Sequence, residues 1–494
     1  MKNIHKIYLS AFVVLLFVLA GCESFLDKEP QGALTQTTFP TSATDALLAV
    51  NATYGTMLDV SFHSGTFPIL DIMSDDARKG SNPTDQSAEI GPYDNFTFTK
   101  TGNELKSWWA TLYMGIKRAN VVIEKVPAID MDATLRDRYI AEAKFLRALF
   151  YFDLVRAWGD VPLILTTNPS NNLVRSPKAD VYKQIKEDLL AAITGLDERN
   201  AQPNAELGRA TKGSAKALLA KVYLFDGDFV NAEKYALEVI NSKQYGLEPL
   251  FINASSVDGE HGIESVFEIG AIGLEAAGGD QYANVQGVRG TPNRGWGFNR
   301  PTPNLRASFE EGDPRMKGTI IDLGDVIDGI IILGDGTTPD VTKDNEGNIL
   351  ETECYNRKVW TPGNNVATQF GHNRRIIRYA DVLLIAAEAL NENNKPGDAL
   401  IYLNKVRERA RQGNNAILPD ITTTEKNALR NIILNERRHE LAMEGHRFWD
   451  LVRTNKAAEV LGPLGFVTGK NELLPIPQSE IDISQGTLKQ NPNW

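Results

Sequence analysis

The chain has 494 residues, with 52 Lys and Arg against 63 Asp and Glu, a formal net charge of −11. That acidic balance argues against nucleic acid as a partner, because phosphates demand basic surface. With 42% apolar residues and only two cysteines, packing and not a disulfide framework has to hold the fold.

At the N-terminus, Lys2 and Lys6 flank the start of an apolar run, Ile7 to Leu19, broken only by Ser10 and closed by Ala20 and Gly21. This is the three-part layout of a signal peptide. A membrane-spanning helix needs roughly 20 apolar residues, more than the run provides. The tetrapeptide LAGC ends at Cys22 and matches the bacterial lipobox, a resemblance that implies cleavage before Cys22 and acylation of that residue. One acyl chain, at about 0.8 kcal/mol per buried methylene, holds a protein only marginally, whereas two or three hold it almost permanently. The expected organisation is a signal peptide over residues 1–21, a lipidated tether over 22–33 and a single domain over 34–494. Loss of Lys2 and Lys6 takes the net charge from −11 to −13. A lipidated Cys22 leaves Cys354 without an intramolecular disulfide partner.

Beyond residue 104, helical periodicity dominates and comes in pairs joined by turns. Glu104 to Val126 and Ala133 to Trp158 form the first pair, with Pro127 and Asp130 to Asp132 as the turn. The second of these helices is apolar almost all round, so neighbours are expected on more than one side. Thr211 to Phe225 and Phe229 to Asn241 form the next pair, with Thr211 as N-cap and Asp226 to Asp228 as the turn. Their alternation of small and large residues is similar to that of tetratricopeptide units. A third pair runs from Tyr379 to Leu390 and from Asp398 to Arg411, where NNKPGD supplies stop, break and the cap Asp398. A fourth helical stretch covers Glu425 to Arg453. Turns near residues 227 and 396 lie far outside a 34-residue period, which excludes a simple solenoid. Long segments rich in Gly, Asn, Pro and Thr, residues 60–103 and 245–375, interrupt the helices. They hold short β-prone runs, SVFEIG and GIIIL, and a turn at Asn345 to Asn348. Loops of this length are commonly functional or disordered. The fold class is mainly α, about four tetratricopeptide-like helix pairs with long irregular loops and small β elements.

Several stretches, in order, carry a family resemblance: FLDKEP after the lipobox, AEAKFLRALFYFDLVRAWGDVPLI, RYADVLLIAAEALNE, ILNERRHELAMEGHRFWDLVR, LLPIPQSEID and the terminal QNPNW. Together they resemble the SusD/RagB family of nutrient-binding outer-membrane lipoproteins of Bacteroidetes. The resemblance implies a cell-surface, lipid-anchored protein that sits over a SusC-like TonB-dependent transporter and captures oligosaccharides, or peptides in some branches, without catalysing a reaction. It also implies that the helical-repeat side faces the barrel while irregular segments on the other side build the ligand site.

The strongest enzyme-like signal is HELAM at His439 to Met443, since a zincin places two imidazoles one helical turn apart in HExxH. Met443 stands where the second His belongs. On a continuous helix His446, seven residues on, and Glu436 would share the face of His439. The stretch coincides with a family motif, which favours helix packing and hydrogen bonding over metal. No G-x-S-x-G and no P-loop occur, and GWG at residues 295–297 lacks the third glycine of a dinucleotide loop. No cofactor is implied. Asp322, Asp325 and Asp328 are spaced by three rather than two, which favours a solvated turn over a calcium loop and leaves a structural calcium as the one ion to test.

Sugar recognition needs aromatic faces for the C–H side of a pyranose and planar polar groups for its hydroxyls. Residues 278–306 supply Tyr282, Trp296 and Phe298 with Arg289, Asn293 and Arg294, among six glycines that permit sharp turns. The earlier loop supplies Asp75, Asp76, Arg78, Tyr93 and Asn95, and KVWTPGNN supplies Trp360. The competing reading places Trp296 and Phe298 in the core and makes Asp75 and Arg78 a local ion pair. Trp108 and Trp109, inside a helix, read as packing residues. Peptide capture, a lipid-anchored hydrolase and a pure helical scaffold remain as alternatives to glycan binding.

Overall fold

Ser42 opens the first helix, α1 (Ala43–Tyr54), through a capping box in which Ser42 and Asp45 satisfy each other's backbone N–H groups. The computed structural model describes residues 39–170, 173–273, 281–362 and 371–494. The expected signal peptide, Cys22 and the expected tether lie outside the described residues.

The longer helices that follow are α2 (Asn103–Lys125), α3 (Ala133–Trp158), α4 (Lys178–Gly195), α5 (Lys212–Phe225) and α6 (Phe229–Asn241). After a long interval come α7 (Tyr379–Glu392), α8 (Pro396–Arg411), α9 (Lys426–Leu441) and α10 (Arg447–Arg453). Each of α2 to α7 packs on the next, and α8 and α9 both pack on α7. Residues 242–378 are therefore an insertion between two stacked neighbours, α6 and α7, which accounts for the uneven spacing of the helix pairs. The all-round apolarity of α3 has its cause here, because α1, α2 and α4 cover it from different sides. Trp108 and Trp109 are buried and meet Trp158 at ring distances of 5.0 and 5.1 Å.

Helix ends follow local chemistry. Asp132 accepts from the Leu135 N–H to start α3, Thr211 and Ser214 form a capping box on α5, and Asp228 caps α6. Pro396 takes the first position of α8, so Asp398 lies inside the first turn and is not the cap. The stretch from Glu425 to Arg453 is not one helix. Ala442 leaves helical geometry and Met443 and Gly445 adopt positive φ, which separates α9 from α10 and removes His446 from the face that carries His439.

Among the described residues the strands form five antiparallel two-stranded ribbons: β1 (Ala77–Gly80) with β3 (Phe298–Pro301), β2 (Ser265–Ile269) with β10 (Arg374–Arg378), β4 (Ile320–Asp322) with β9 (Cys354–Asn356), β5 (Val326–Ile327) with β6 (Ile330–Ile331), and β7 (Val341–Lys343) with β8 (Ile349–Thr352). SVFEIG thus becomes β2, GIIIL contributes β6 of a tight hairpin, and Asn345 to Asn348 turns β7 into β8. Among the described residues, no helix is long and apolar enough to cross a membrane.

Buried charge ties the ribbons to the helices. Arg437 of α9 reaches Asp381 of α7 at 2.8 Å and Asp450 of α10 at 2.9 Å, while Lys221 of α5 holds the other oxygen of Asp381 at 3.0 Å. Glu440 accepts from Arg378 of β10 at 3.0 Å and from Arg409 of α8. Arg438 and Arg447 hold Asp75 and Asp76, just before β1, at 2.7 to 3.0 Å. Such pairs contribute little net stability relative to an apolar core, but loss of one partner strands the other and costs about 3–5 kcal/mol. The NERRHELAMEGHRFWDLVR stretch is thus the electrostatic centre of the frame.

Candidate functional site

The ribbon of β1 and β3 carries a cleft on its outer side. Ser81 donates its N–H to the Gly297 carbonyl at 2.6 Å, which ties the loop after β1 to the loop before β3. That second loop is folded back on itself by Arg294 N–H to the Val288 carbonyl at 2.8 Å, Trp296 N–H to the Asn284 carbonyl at 2.8 Å and Gly297 N–H to the Gly287 carbonyl at 2.9 Å. Thr291 and Gly334 then form a bridge that brings the turn at Asp335 to the same place. Gly290 has φ +93°, and a Cβ there would stand 2.2 Å from the Gly334 carbonyl oxygen, so only glycine allows this approach.

These loops enclose an open cleft of about 610 Å³. Phe298 and Phe67, their rings 4.6 Å apart and near edge-on, lie at its base. Trp296 is 37% exposed, and among the described residues its indole N–H has no hydrogen-bond partner. Thr84, Gln86 and Asn293 are exposed polar groups on the rim. Across the cleft Arg289 acts as a strap: it pairs with Asp85, reaches Ser81 Oγ at 2.7 Å and forms an ion pair with Asp335, Nε to Oδ2 at 2.7 Å. Burial works against ionisation of both carboxyls, but the Thr337 and Thr338 N–H groups bring Asp335 down to about 2, and hydrogen bonds from Arg289 and Ser81 lower Asp85. Both are anionic at neutral pH. A free aromatic face beside fixed planar donors and acceptors is what a sugar ring and its hydroxyls require.

Among the residues singled out from the sequence, Trp296, Arg289 and Asn293 line this cleft, whereas Phe298, 4% exposed, is part of the main core and lies beneath it. Tyr282 does not; it is buried 5.0 Å from the His63 ring and 4.8 Å from the Arg374 guanidinium, and burial pushes its hydroxyl up to about 12. Tyr93 is 1% exposed and stacks on Phe98 at 4.8 Å as a core residue. Asn95 is exposed away from the cleft and accepts from Thr97 within its own turn at 2.6 Å. Asp75 pairs with Arg438 and Arg447, not with Arg78, which instead donates to the carbonyls of Ser74 and Ala77 at 3.4 and 3.0 Å. Trp360 donates its indole N–H to Asp328 at 2.7 Å and packs beside the cluster of Val288, Ile321 and Tyr355. Sequence reasoning missed Phe67, Thr84, Asp85, Gln86 and Asp335. The available signal was the turn chemistry of SNPTDQ after β1 and of GDG at residues 334–336, which marks both as sharp loops.

Glu310, Glu436 and His439 bring ligand-type atoms within 4.8 Å of one another. The carboxylates are already engaged: Arg407 bonds both oxygens of Glu310, and Glu436 accepts from Arg407 and Arg315. His439 stacks on Phe309 at 5.1 Å. Arg407 and Arg315 thus supply the positive charge that faces both carboxylates, while the buried His439 Nδ1 has no hydrogen-bond partner among the described residues. Asp322 and Asp325 likewise meet Lys317, and Arg306 also pairs with Asp322.

The architecture is a mainly helical repeat scaffold with a loop-built cleft. Residues 263–465 match the model of the SusD family, and residues 24–224 match a family described as starch-binding associating with outer membrane. The chain belongs to the SusD family. SusD-like protein P2 of Formosa agariphila is 32% identical over 520 residues, covering 99% of this chain and all of that protein. A solved laminarin-binding SusD-like protein is 32% identical with a TM-score of 0.78, over 92% of this chain and all of its own. Surface glycan-binding protein A of Bacteroides thetaiotaomicron, solved with laminarihexaose, is 27% identical with a TM-score of 0.75, over 91% of this chain and all of its own.

Proposed function

We propose that this protein is a lipid-anchored glycan-binding protein of the outer-membrane surface, which grips a neutral oligosaccharide in the Trp296 cleft and delivers it to a SusC-like TonB-dependent transporter without altering it. The observation that carries the reading is the free face of Trp296, set among Gln86, Asn293 and the Asp85–Arg289–Asp335 strap. Glycan-binding relatives with the same fold support it, and the lipobox at Cys22 supports the anchor. No step of the proposal needs a reacting group: Arg289 pairs with both carboxylates of the strap, and both are lowered, not raised toward the range of a general acid.

Calorimetric titration with laminarihexaose tests the reading, followed by chromatography of the ligand after long incubation. Binding with the hexasaccharide recovered intact is expected. Trp296→Ala is expected to weaken binding about tenfold or more while leaving the melting temperature unchanged, since the ring is an exposed anchor and not core. Retention of peptides with no response to any glycan would overturn the assignment, and shortened ligand would make the protein a hydrolase.

A further inference from the structure

Lys79 lies in β1 and is 7% exposed, yet among the described residues it makes no ion pair. Its ammonium instead donates to three backbone carbonyls of the loop that follows: Gly80 at 2.8 Å, Asn82 at 3.0 Å and Asp85 at 2.8 Å. All three ammonium protons are used, and all by one short stretch of main chain. Carbonyl dipoles that converge on one point repel each other, so the loop can close this way only around a positive charge. Hard metal ions find such oxygen cages in other proteins. Arg300 adds a second internal cation, donating to the Ser81 carbonyl at 3.1 Å. Four carbonyls between residues 80 and 85 are thus organised by side chains beneath the loop.

The consequence reaches the cleft through Asp85. Its carbonyl is held by Lys79 and its side chain pairs with Arg289, which in turn reaches Asp335 on the opposite side. The same ammonium stands 5.5 Å from the centroid of the Phe298 ring at the cleft base. We infer that Lys79 is a positioning residue for the ligand cleft, a built-in substitute for a structural cation that fixes the 80–85 wall and so sets glycan affinity without touching the ligand. This inference rests on the glycan-binding reading for its affinity readout and on the loop itself for its conformational one.

The test compares wild type with Lys79→Met and Lys79→Ala. Hydrogen exchange, read without ligand, is expected to accelerate at amides 80–90 in Lys79→Met and to stay unchanged in the helices. Laminarihexaose affinity is expected to fall about tenfold, because charge-assisted hydrogen bonds are lost. Propylammonium, which replaces the atoms removed in Lys79→Ala, is expected to restore affinity in that variant and not in Lys79→Met. Unchanged exchange at 80–90, unchanged affinity, or no rescue by propylammonium would overturn the positioning role. If wild type binds no glycan, the functional reading fails, while the exchange experiment still judges the cage. Should the variants not fold, reductive methylation of wild type decides: Lys79 is expected to stay unmodified while exposed Lys183 reacts, and equal rates would refute a closed cage.

Discussion

Asp381 offers the sharpest test of the charge-locked frame. It is buried and accepts from two buried cations, Lys221 at 3.0 Å and Arg437 at 2.8 Å. Asp381→Asn keeps size and shape but removes the charge. Arg437 then retains Asp450 at 2.9 Å, whereas Lys221 is left with His446 Nδ1 at 3.4 Å and no carboxylate. Stranding a buried charge in this way costs about 3–5 kcal/mol. At about 2.1 cal/mol/K per residue, a chain of this length unfolds with an entropy near 1 kcal/mol/K, so the melting temperature is expected to fall by about 3–5 °C in calorimetry. Replacing both partners, with Asp381→Leu and Lys221→Met together, is expected to recover most of the loss. Acid supplies a second readout. Burial pushes the Asp381 carboxyl up, but Lys221 and Arg437 outweigh it and hold the carboxyl far below the usual range. A depressed native value stabilises above the unfolded carboxyl value of about 3.9 and is lost as pH falls through the native one, so the gap between wild type and Asp381→Asn is full at pH 7 and narrows below about pH 4. A variant melting within about 1 °C of wild type at pH 7, or a double variant no better than the single, would refute the reasoning.

Two further substitutions separate core from cleft. Tyr93→Phe removes a buried hydroxyl that has no hydrogen-bond partner among the described residues, so thermal stability is expected to hold or rise by up to about 1 kcal/mol with laminarihexaose affinity unchanged; a loss of affinity would return Tyr93 to the ligand site. Gly290→Ala puts a Cβ 2.2 Å from the Gly334 carbonyl at φ +93°, and is expected to cost about 1–3 kcal/mol locally and to weaken laminarihexaose binding by opening the Asp335 turn; titration with wild-type affinity would show that the cleft does not depend on this contact.

Helix positions were legible where strong punctuation flanked a periodic run. Asp132 and Gly159 bound α3, and Asp228 and Ser242 bound α6, at the limits expected from the sequence. Residues 178–195 start without a side-chain cap, which hides α4 in the sequence although Val181, Ile185, Leu189 and Ala192 repeat at helical spacing and are all buried. The break after α9 was hidden because Ala442 and Met443 are good helix formers; tertiary ion pairs of Glu444 with Arg378 and Lys358 override their propensity. Aromatics in glycine-rich loops were the hardest to read. Tyr282, Phe298 and Trp296 share one composition, and only the folding-back of residues 287–297 decides that Trp296 faces solvent while Tyr282 turns inward. The stack of α6 on α7 also lay beyond local signals, because it joins residues separated by the whole insertion.

The grip of Arg438 and Arg447 on Asp75 and Asp76 has a mechanical side. Both aspartates sit where the chain enters β1, and both arginines belong to the helical frame. Any pull on the loops that flank β1 is handed directly to α9 and α10 through these guanidinium groups. A frame built this way is expected to meet a tug as one piece, so that the β1–β3 hollow keeps its outline under load.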